Sequence, residues 1–160
     1  MNRAYLLTGG NIGNRMDYLL KAQKLIARFC GEIVHLSGVY ETAAWGLQDQ
    51  ASFYNQVVCI ETDLAPEALM QQILTIEEEM GRIRTIKMGP RIIDIDILLI
   101  DDLVIDSPLL TVPHPYLPER KFALTPLNEI APDLVHPVLN KTISELLKEC
   151  KDPLNVNKIS

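Results

Sequence analysis

Strand-length apolar runs and helical stripes alternate along the chain in the order β-α-β-β-α-β. This order predicts an α/β (α+β) domain with a ferredoxin-like βαββαβ core, a mainly antiparallel sheet, extra hairpin strands and C-terminal helices. Three observations carry the prediction. Residues 33–42 and 53–63 are strand-like and close enough to pair as neighbours. Two helical stripes separate the strands. A third run, 92–100, is apolar except for two aspartates.

The elements follow in order. Residues 4–8 form a buried strand that stops at Gly9-Gly10-Asn11, a tight turn. Asn14 or Asn11 caps a helix whose apolar stripe is Leu19, Leu20, Ala22, Leu25, Ile26 and Phe29, closed by Gly31. The strand 33–42 carries Val34, Leu36, Val39 and Tyr40. Residues 43–50 read as a loop holding an exposed Trp45, a candidate lid. The strand 53–63 follows, and Pro66 opens a second helix through Leu69, Ile73, Ile76 and Met80, ended by Gly81. Residues 82–91 form a cation-rich loop. Asp101-Asp102 reads as a hairpin turn from the strand 92–100 into 103–105. The Pro-rich stretch 108–137 reads as ordered loops and short helices. A last helix begins at Thr142 or Lys141, and the polar tail 152–160 is expected to fray.

The length of 160 residues fits a single domain, 1–160, with a full core. Net charge is −6, which argues against a general nucleic-acid binder, since phosphate neutralisation needs a basic face. Cys30, Cys59 and Cys150 are odd in number, far apart and without a CxxC pair. They read as free packing thiols in a reducing compartment. The N-terminus has no long apolar signal region, and no apolar run reaches membrane-spanning length. The expectation is a cytoplasmic domain without a membrane partner.

The chemistry concentrates in Asp94-Ile95-Asp96. Side chains alternate along a strand, so both carboxylates share one face and Ile93, Ile95 and Ile97 the other. Adjacent carboxylates repel, and a hard divalent cation such as Mg²⁺ resolves the conflict while leaving room for substrate phosphates. Solvent exposure or pairing with arginines would also resolve it. Arg82, Arg84, Lys87 and Arg91 precede the pair, and guanidinium forks match phosphate oxygens. A solvated charged loop is the simpler account of such a run alone. Its position before paired carboxylates favours Mg-polyphosphate chemistry. The G-x-G-x-x-G and P-loop signatures are both missing. Phe53 and Asn55 share a strand face and suit a flat heterocycle, or else a core ring and a structural amide. His114, between Pro113 and Pro115, is a candidate phosphate ligand or an ordinary surface histidine.

Gly81-Arg82-x-Arg84, Gly89-Pro90-Arg91-x-Ile93-Asp94-Ile95-Asp96-Ile97-Leu98 and Val112-Pro113-His114-Pro115 together resemble the 6-hydroxymethyl-7,8-dihydropterin pyrophosphokinases. Gly9-x-Asn11-x-Gly13-x-Arg15, Tyr40-x-Thr42, Gly46-x-Gln48-x-Gln50-x-x-Phe53-x-Asn55 and Pro126-Leu127-x-Glu129-Ile130-Ala131-Pro132 extend the resemblance from about Tyr5 to Pro137. It implies transfer of pyrophosphate from ATP to the pterin hydroxymethyl group, with AMP released, in folate biosynthesis. It implies two Mg²⁺ ions on Asp94 and Asp96 and a monomer. It places Thr42, Ala43, Trp45, Phe53, Asn55 and Phe122 at the pterin. It places Glu77, Arg82, Arg84, Arg91, Ile97, Thr111, His114 and Arg120 at ATP, with Arg82, Arg84, Arg91 and the two aspartates catalytic. The chain departs from the family pattern at Gly10, Ala43-Ala44, Met88 and Leu109. Two other readings share parts of this pattern: a metabolite-sensing ferredoxin-like domain without turnover, and a kinase that moves only the γ-phosphoryl group and releases ADP.

Overall fold

A computed structural model describes residues 1–43, 51–82 and 91–160. Strand β1 (Asn2–Gly10) is the centre of the sheet and pairs antiparallel with β4 (Phe53–Thr62) and β5 (Asp94–Ile100). Helix α1 (Arg15–Phe29) leads to β2 (Glu32–Leu36) and β3 (Tyr40–Thr42), which pair with β4 in succession. Helix α2 (Pro66–Glu79) crosses from β4 to β5. The spatial order β5-β1-β4, then β2 and β3, is that of the βαββαβ core. The antiparallel sheet and helices match the fold class expected.

The pleat divides the core in two. Ala4, Leu6, Val58, Ile60, Ile95 and Ile97 face α1 and α2, whose Leu19, Ala22, Ile26, Leu69, Ile73 and Ile76 are buried against them. Tyr5, Leu7, Val57, Cys59 and Leu98 face the other way, under helices α3 (Lys121–Ile130) and α4 (Ile143–Glu149). Asn14 is the cap of α1, its side chain accepting from the Asp17 N–H at 3.1 Å. Thr142 caps α4 in a reciprocal capping box with Glu145.

Three local readings change. The strand expected over 33–42 is broken at Ser37–Val39, where the Ser37 hydroxyl accepts from the Val57 N–H and its carbonyl accepts from the Gln56 amide. The Asp101-Asp102 turn does not send the chain back along β5. Asp101 instead donates its N–H to the Arg3 carbonyl and accepts the Arg3 N–H, which fastens β1. The short β6 (Ile105–Asp106) then pairs with β7 (Thr111–Val112). The Pro-rich stretch holds short helices as expected, a 3-10 turn at Leu117–Glu119 and α3 with Pro126 inside it. The tail does not simply fray: β8 (Val156–Lys158) completes the sheet by pairing antiparallel with β3. Its polar side chains hid this, because edge pairing uses backbone groups rather than an apolar face.

Gly10 has a steric reason. A Cβ there would lie 2.2 Å from the Ile92 carbonyl oxygen, while the next residue, Asn11, bonds Arg91 through both its backbone and its side chain. Gly10→Ala is therefore expected to cost about 1–3 kcal/mol as an overpacked contact, read as a lower denaturant midpoint.

Candidate active site

Helices α3 and α4 cover only part of their sheet face. The uncovered end, where β1, β4 and β5 finish or begin, is an open cleft lined by Leu7, Gly9, Thr42, Ala43, Phe53, Asn55, Arg91, Asp94, Asp96, Arg120 and Phe122. It encloses about 550 Å³ including its mouth, a size suited to a small organic ligand.

One wall is made for a flat polar molecule. Phe53 begins β4 and Phe122 lies in the first turn of α3. A guanidinium covers each ring: Arg91 Cζ lies 5.2 Å from the Phe53 centroid and Arg120 Cζ 5.6 Å from that of Phe122. Between these elements, Thr42 and Asn55 are buried, and Thr42 Oγ1 and Asn55 Oδ1 have no hydrogen-bond partner among the described residues. Buried polar atoms left unpaired cost stability, and a ligand that pairs them recovers it.

The other wall is electrostatic. Asp94 and Asp96 emerge on one face of β5 while Ile95 and Ile97 enter the core behind them, as alternation requires. Arg82 Nη1 donates to Asp94 Oδ1 at 2.7 Å and to Glu77 Oε2 at 2.8 Å, and Arg91 Nη1 donates to Asp94 Oδ2 at 3.1 Å. Glu77 is 2% exposed and also accepts the Ile95 backbone N–H at 2.8 Å. One carboxylate thus joins the end of α2, the start of β5 and Arg82. Burial, then the charge of Asp94, pushes the Asp96 carboxyl up to about 7. Burial, then the nearby Arg120 charge, pushes His114 down to about 4. His114 Nδ1 accepts the Tyr116 N–H at 3.2 Å, so the neutral ring presents Nε2–H as a donor.

The structure gathers most of the residues singled out in the sequence. Thr42, Ala43, Phe53, Asn55, Phe122, Arg91, Asp94, Asp96 and Arg120 line one cleft; Arg82 joins it through Asp94, and Glu77 through Arg82. Ile97 is 3% exposed in the core on the opposite face, Thr111 lies in β7 and His114 follows it; none of the three lines the cleft. Trp45 and Arg84, with the candidate lid and most of the cation-rich loop, lie outside the described residues. Leu7 and Gly9 line the cleft without having been singled out as site residues. Their places on β1, opposite Val57 and Asn55, become site positions only once β1 and β4 are paired. No helix among the described residues is long and apolar enough to cross a membrane.

Comparison with known proteins places this geometry. Residues 5–132 match the family described as 7,8-dihydro-6-hydroxymethylpterin-pyrophosphokinase. The chain is 45% identical over 149 residues to the 2-amino-4-hydroxy-6-hydroxymethyldihydropteridine pyrophosphokinase of Aquifex aeolicus, covering 93% of this chain and 92% of that one. It is 40% identical to the protein of the same name from Methylorubrum extorquens, covering 99% of each. It is 43% identical to the folic acid synthesis protein fol1 of Schizosaccharomyces pombe, but spans only 20% of that longer chain. Among solved structures, the Plasmodium falciparum HPPK-DHPS with pteroate shares the fold, with a TM-score of 0.76 at 21% identity over 92% of this chain and 42% of that one. With the family matched over most of its length and full-length relatives at this identity, the chain belongs to the 7,8-dihydro-6-hydroxymethylpterin-pyrophosphokinases, enzymes that transfer pyrophosphate from ATP to the pterin hydroxymethyl group in folate synthesis.

Proposed function

We propose that the cleft seats the pterin between Phe53 and Phe122, and that Asp94 and Asp96 hold two Mg²⁺ ions that carry the ATP polyphosphate. The observation that carries this reading is a pair of buried atoms unpartnered among the described residues, Thr42 Oγ1 and Asn55 Oδ1, beside two rings and two carboxylates in one cleft. A pterin offers ring N–H and amino donors at its edge and a π-face to each ring. Its hydroxymethyl arm then reaches toward Asp94 and Asp96.

The donor set fits magnesium. It consists of hard carboxylate oxygens, with no cluster of three or more His, Cys, Asp or Glu among the described residues to make an all-protein cage. Mg²⁺ favours one or two carboxylates completed by water and phosphate. The raised Asp96 carboxyl marks a place where added positive charge is stabilising. When bound, the ions would polarise the phosphates and lower the charge that the attacking hydroxyl meets.

The protein's own groups do the rest. Arg82 and Arg91 hold Asp94 in place and stand next to where the polyphosphate would lie. Arg120, held over Phe122 and Tyr116, supplies a cation on the pterin side. His114 is neutral at pH 7 and donates a hydrogen bond through Nε2–H to a phosphate oxygen; it is too weak a base to take the hydroxyl proton. Glu77 acts through Arg82 and Ile95, not on ATP itself. The catalytic and ATP roles of Arg84, and the pterin contact of Trp45, belong to the same proposal by resemblance to the family. So do the adenine contact of Ile97, the place of Thr111 at ATP, the monomeric state and a reducing cytoplasmic setting. The last is supported by three free thiols, two of them buried.

The test is a product assay with MgATP and 6-hydroxymethyl-7,8-dihydropterin that separates AMP from ADP. Pterin-dependent AMP, with pterin diphosphate as the other product and no turnover in EDTA, is the expected result. ADP as product, or turnover unaffected by EDTA, would overturn the assignment.

A further inference from the structure

One part of the family resemblance, the stretch containing Glu129, has no place in the chemistry above, and Glu129 is not among the residues that line the cleft. It lies on α3, seven residues after Phe122, which is about two helical turns and so the same helix face. Its carboxylate accepts from three donors on the sheet edge. Tyr40 Oη donates at 2.5 Å, the Gly38 N–H lies 3.2 Å from each oxygen, and Lys158 Nζ of β8 lies 3.5 Å away. Tyr40 is buried and sits opposite Asn55 in the sheet register, and Thr42 sits opposite Phe53. The edge is further secured by β8 and the end of the tail. Ile159 donates its N–H to the Val39 carbonyl and Val39 donates to Ser160, while a Cβ on Gly38 would lie 2.3 Å from the Ser160 carbonyl oxygen. The tail therefore packs so closely that only glycine fits at position 38.

We propose that Glu129 is a positioning residue for pterin binding: its carboxylate locks α3, which carries Phe122, to the β3 edge, which carries Thr42, and so sets the gap between Phe122 and the Phe53–Thr42 pair. A charge-assisted bond to a buried phenol is short and directional, unlike the apolar contacts that hold α3 down. Apolar packing tolerates small lateral shifts, and the polar lock removes that freedom. The direction of titration agrees. Tyr40 is pushed up to about 12 by burial and by Glu129, and Glu129 is held below the ordinary carboxylate range by Tyr40, Gly38 and Lys158 against the opposing effect of burial. β8 belongs to the same lock, since it supplies Lys158 and holds β3 from its free side.

The inference rests on the pterin reading of the cleft, and the experiment separates the two. The variants are Glu129→Ala, Glu129→Gln, Tyr40→Phe and the double variant Tyr40→Phe/Glu129→Ala, with Asn55→Ala as the control for the cleft. Steady-state constants for both substrates, fluorescence binding of 6-hydroxymethylpterin and melting temperature are measured for each. Glu129→Ala is expected to raise the pterin KM and Kd about tenfold, the loss of one charged hydrogen bond, with kcat and the ATP KM within about twofold. Glu129→Gln is expected to recover most of that affinity, because its carbonyl oxygen still accepts from Tyr40 and Gly38. The double variant is expected to bind pterin no worse than Glu129→Ala alone, since the two residues act as one contact. A lowered melting temperature with unchanged pterin KM, or equal changes for both substrates, would overturn the proposal. The near-isosteric Glu129→Gln keeps the test decisive if the alanine variant fails to fold: a Gln variant as weak as Asn55→Ala in pterin binding would also overturn it. If Asn55→Ala leaves pterin binding intact, the cleft reading fails and this inference falls with it. If Asn55→Ala weakens binding and Glu129→Ala does not, only the inference fails.

Discussion

Replacing Asp96 with alanine is expected to abolish turnover and leave the fold at least as stable as before. Asp96 is one of the two carboxylates proposed to carry the metal ions, and such ions supply several kcal/mol of transition-state charge stabilisation. At 1.36 kcal/mol per decade, their loss lowers kcat by at least about a thousandfold. The stability half of the prediction follows from sign. The folded carboxyl holds its proton more tightly than an unfolded one, its value raised from 3.8 to about 7 by burial and by Asp94. Folding stability is therefore lost as pH rises from the lower value through the upper one, and the loss is complete above it. Alanine has no proton to lose, so at pH 8 the variant escapes that cost. Thermal melts at pH 8 and the AMP assay check the two halves. Near-normal AMP formation by Asp96→Ala would remove the two-ion assignment. The same sign makes Mg²⁺ binding weaken as pH falls below about 7, because the ion must displace a proton that Asp96 then retains.

Arg82→Ala carries the second large effect, and it has two parts. Arg82 is proposed to lie against the polyphosphate, so kcat is expected to fall far more than pterin affinity. It is also a structural counter-ion: its side chain is 11% exposed and that of Glu77 only 3%. Removing it strands a buried carboxylate, which typically costs about 3–5 kcal/mol. For a chain of this size that is a fall in Tm of roughly 10 °C. The two parts are separable. In the double variant Glu77→Gln/Arg82→Ala the stranded charge is gone, so Tm is expected to recover while kcat stays low. Recovery of both would show that Arg82 serves the fold alone. An effect of Arg82→Ala confined to pterin binding would remove its catalytic role.

Local periodicity was the most legible part of the sequence. The alternation of Asp94 and Asp96 with Ile93, Ile95 and Ile97 could be read directly, and the structure places the two aspartates on one face. Phe53 and Asn55 were linked by the same period and line the same cleft. Caps at Asn14 and Thr142 were visible as residue types in the right places. Features that depend on a distant partner were not legible. β8 is polar and forms only because β3 presents an unpaired edge. The break at Ser37–Val39 exists because Ser37 bonds Val57 and because the tail packs on Gly38. Glu77 reads as one more glutamate on a helix, and only the packing of α2 on β5 puts it against the Ile95 N–H and Arg82. Glu129 is exposed on α3, and only the β3 edge and β8 laid beside it supply the donors Tyr40, Gly38 and Lys158.

The alternation in β5 also bears on how faithfully the chain folds. A strand that slips by one residue turns every side chain to the opposite face. In β5 such a slip would drive both carboxylates in among Leu6, Ile73 and Ile76, and turn Ile95 and Ile97 out into the cleft. Burying each uncompensated carboxylate costs several kcal/mol, and each isoleucine exposed forfeits about 1.5–3 kcal/mol. The misregistered chain is thus strongly disfavoured against the native register, which keeps both aspartates on the cleft side. The two residues proposed to hold the metal ions also act as a registration mark, so that a molecule which has folded at all has folded with its aspartates facing the cleft.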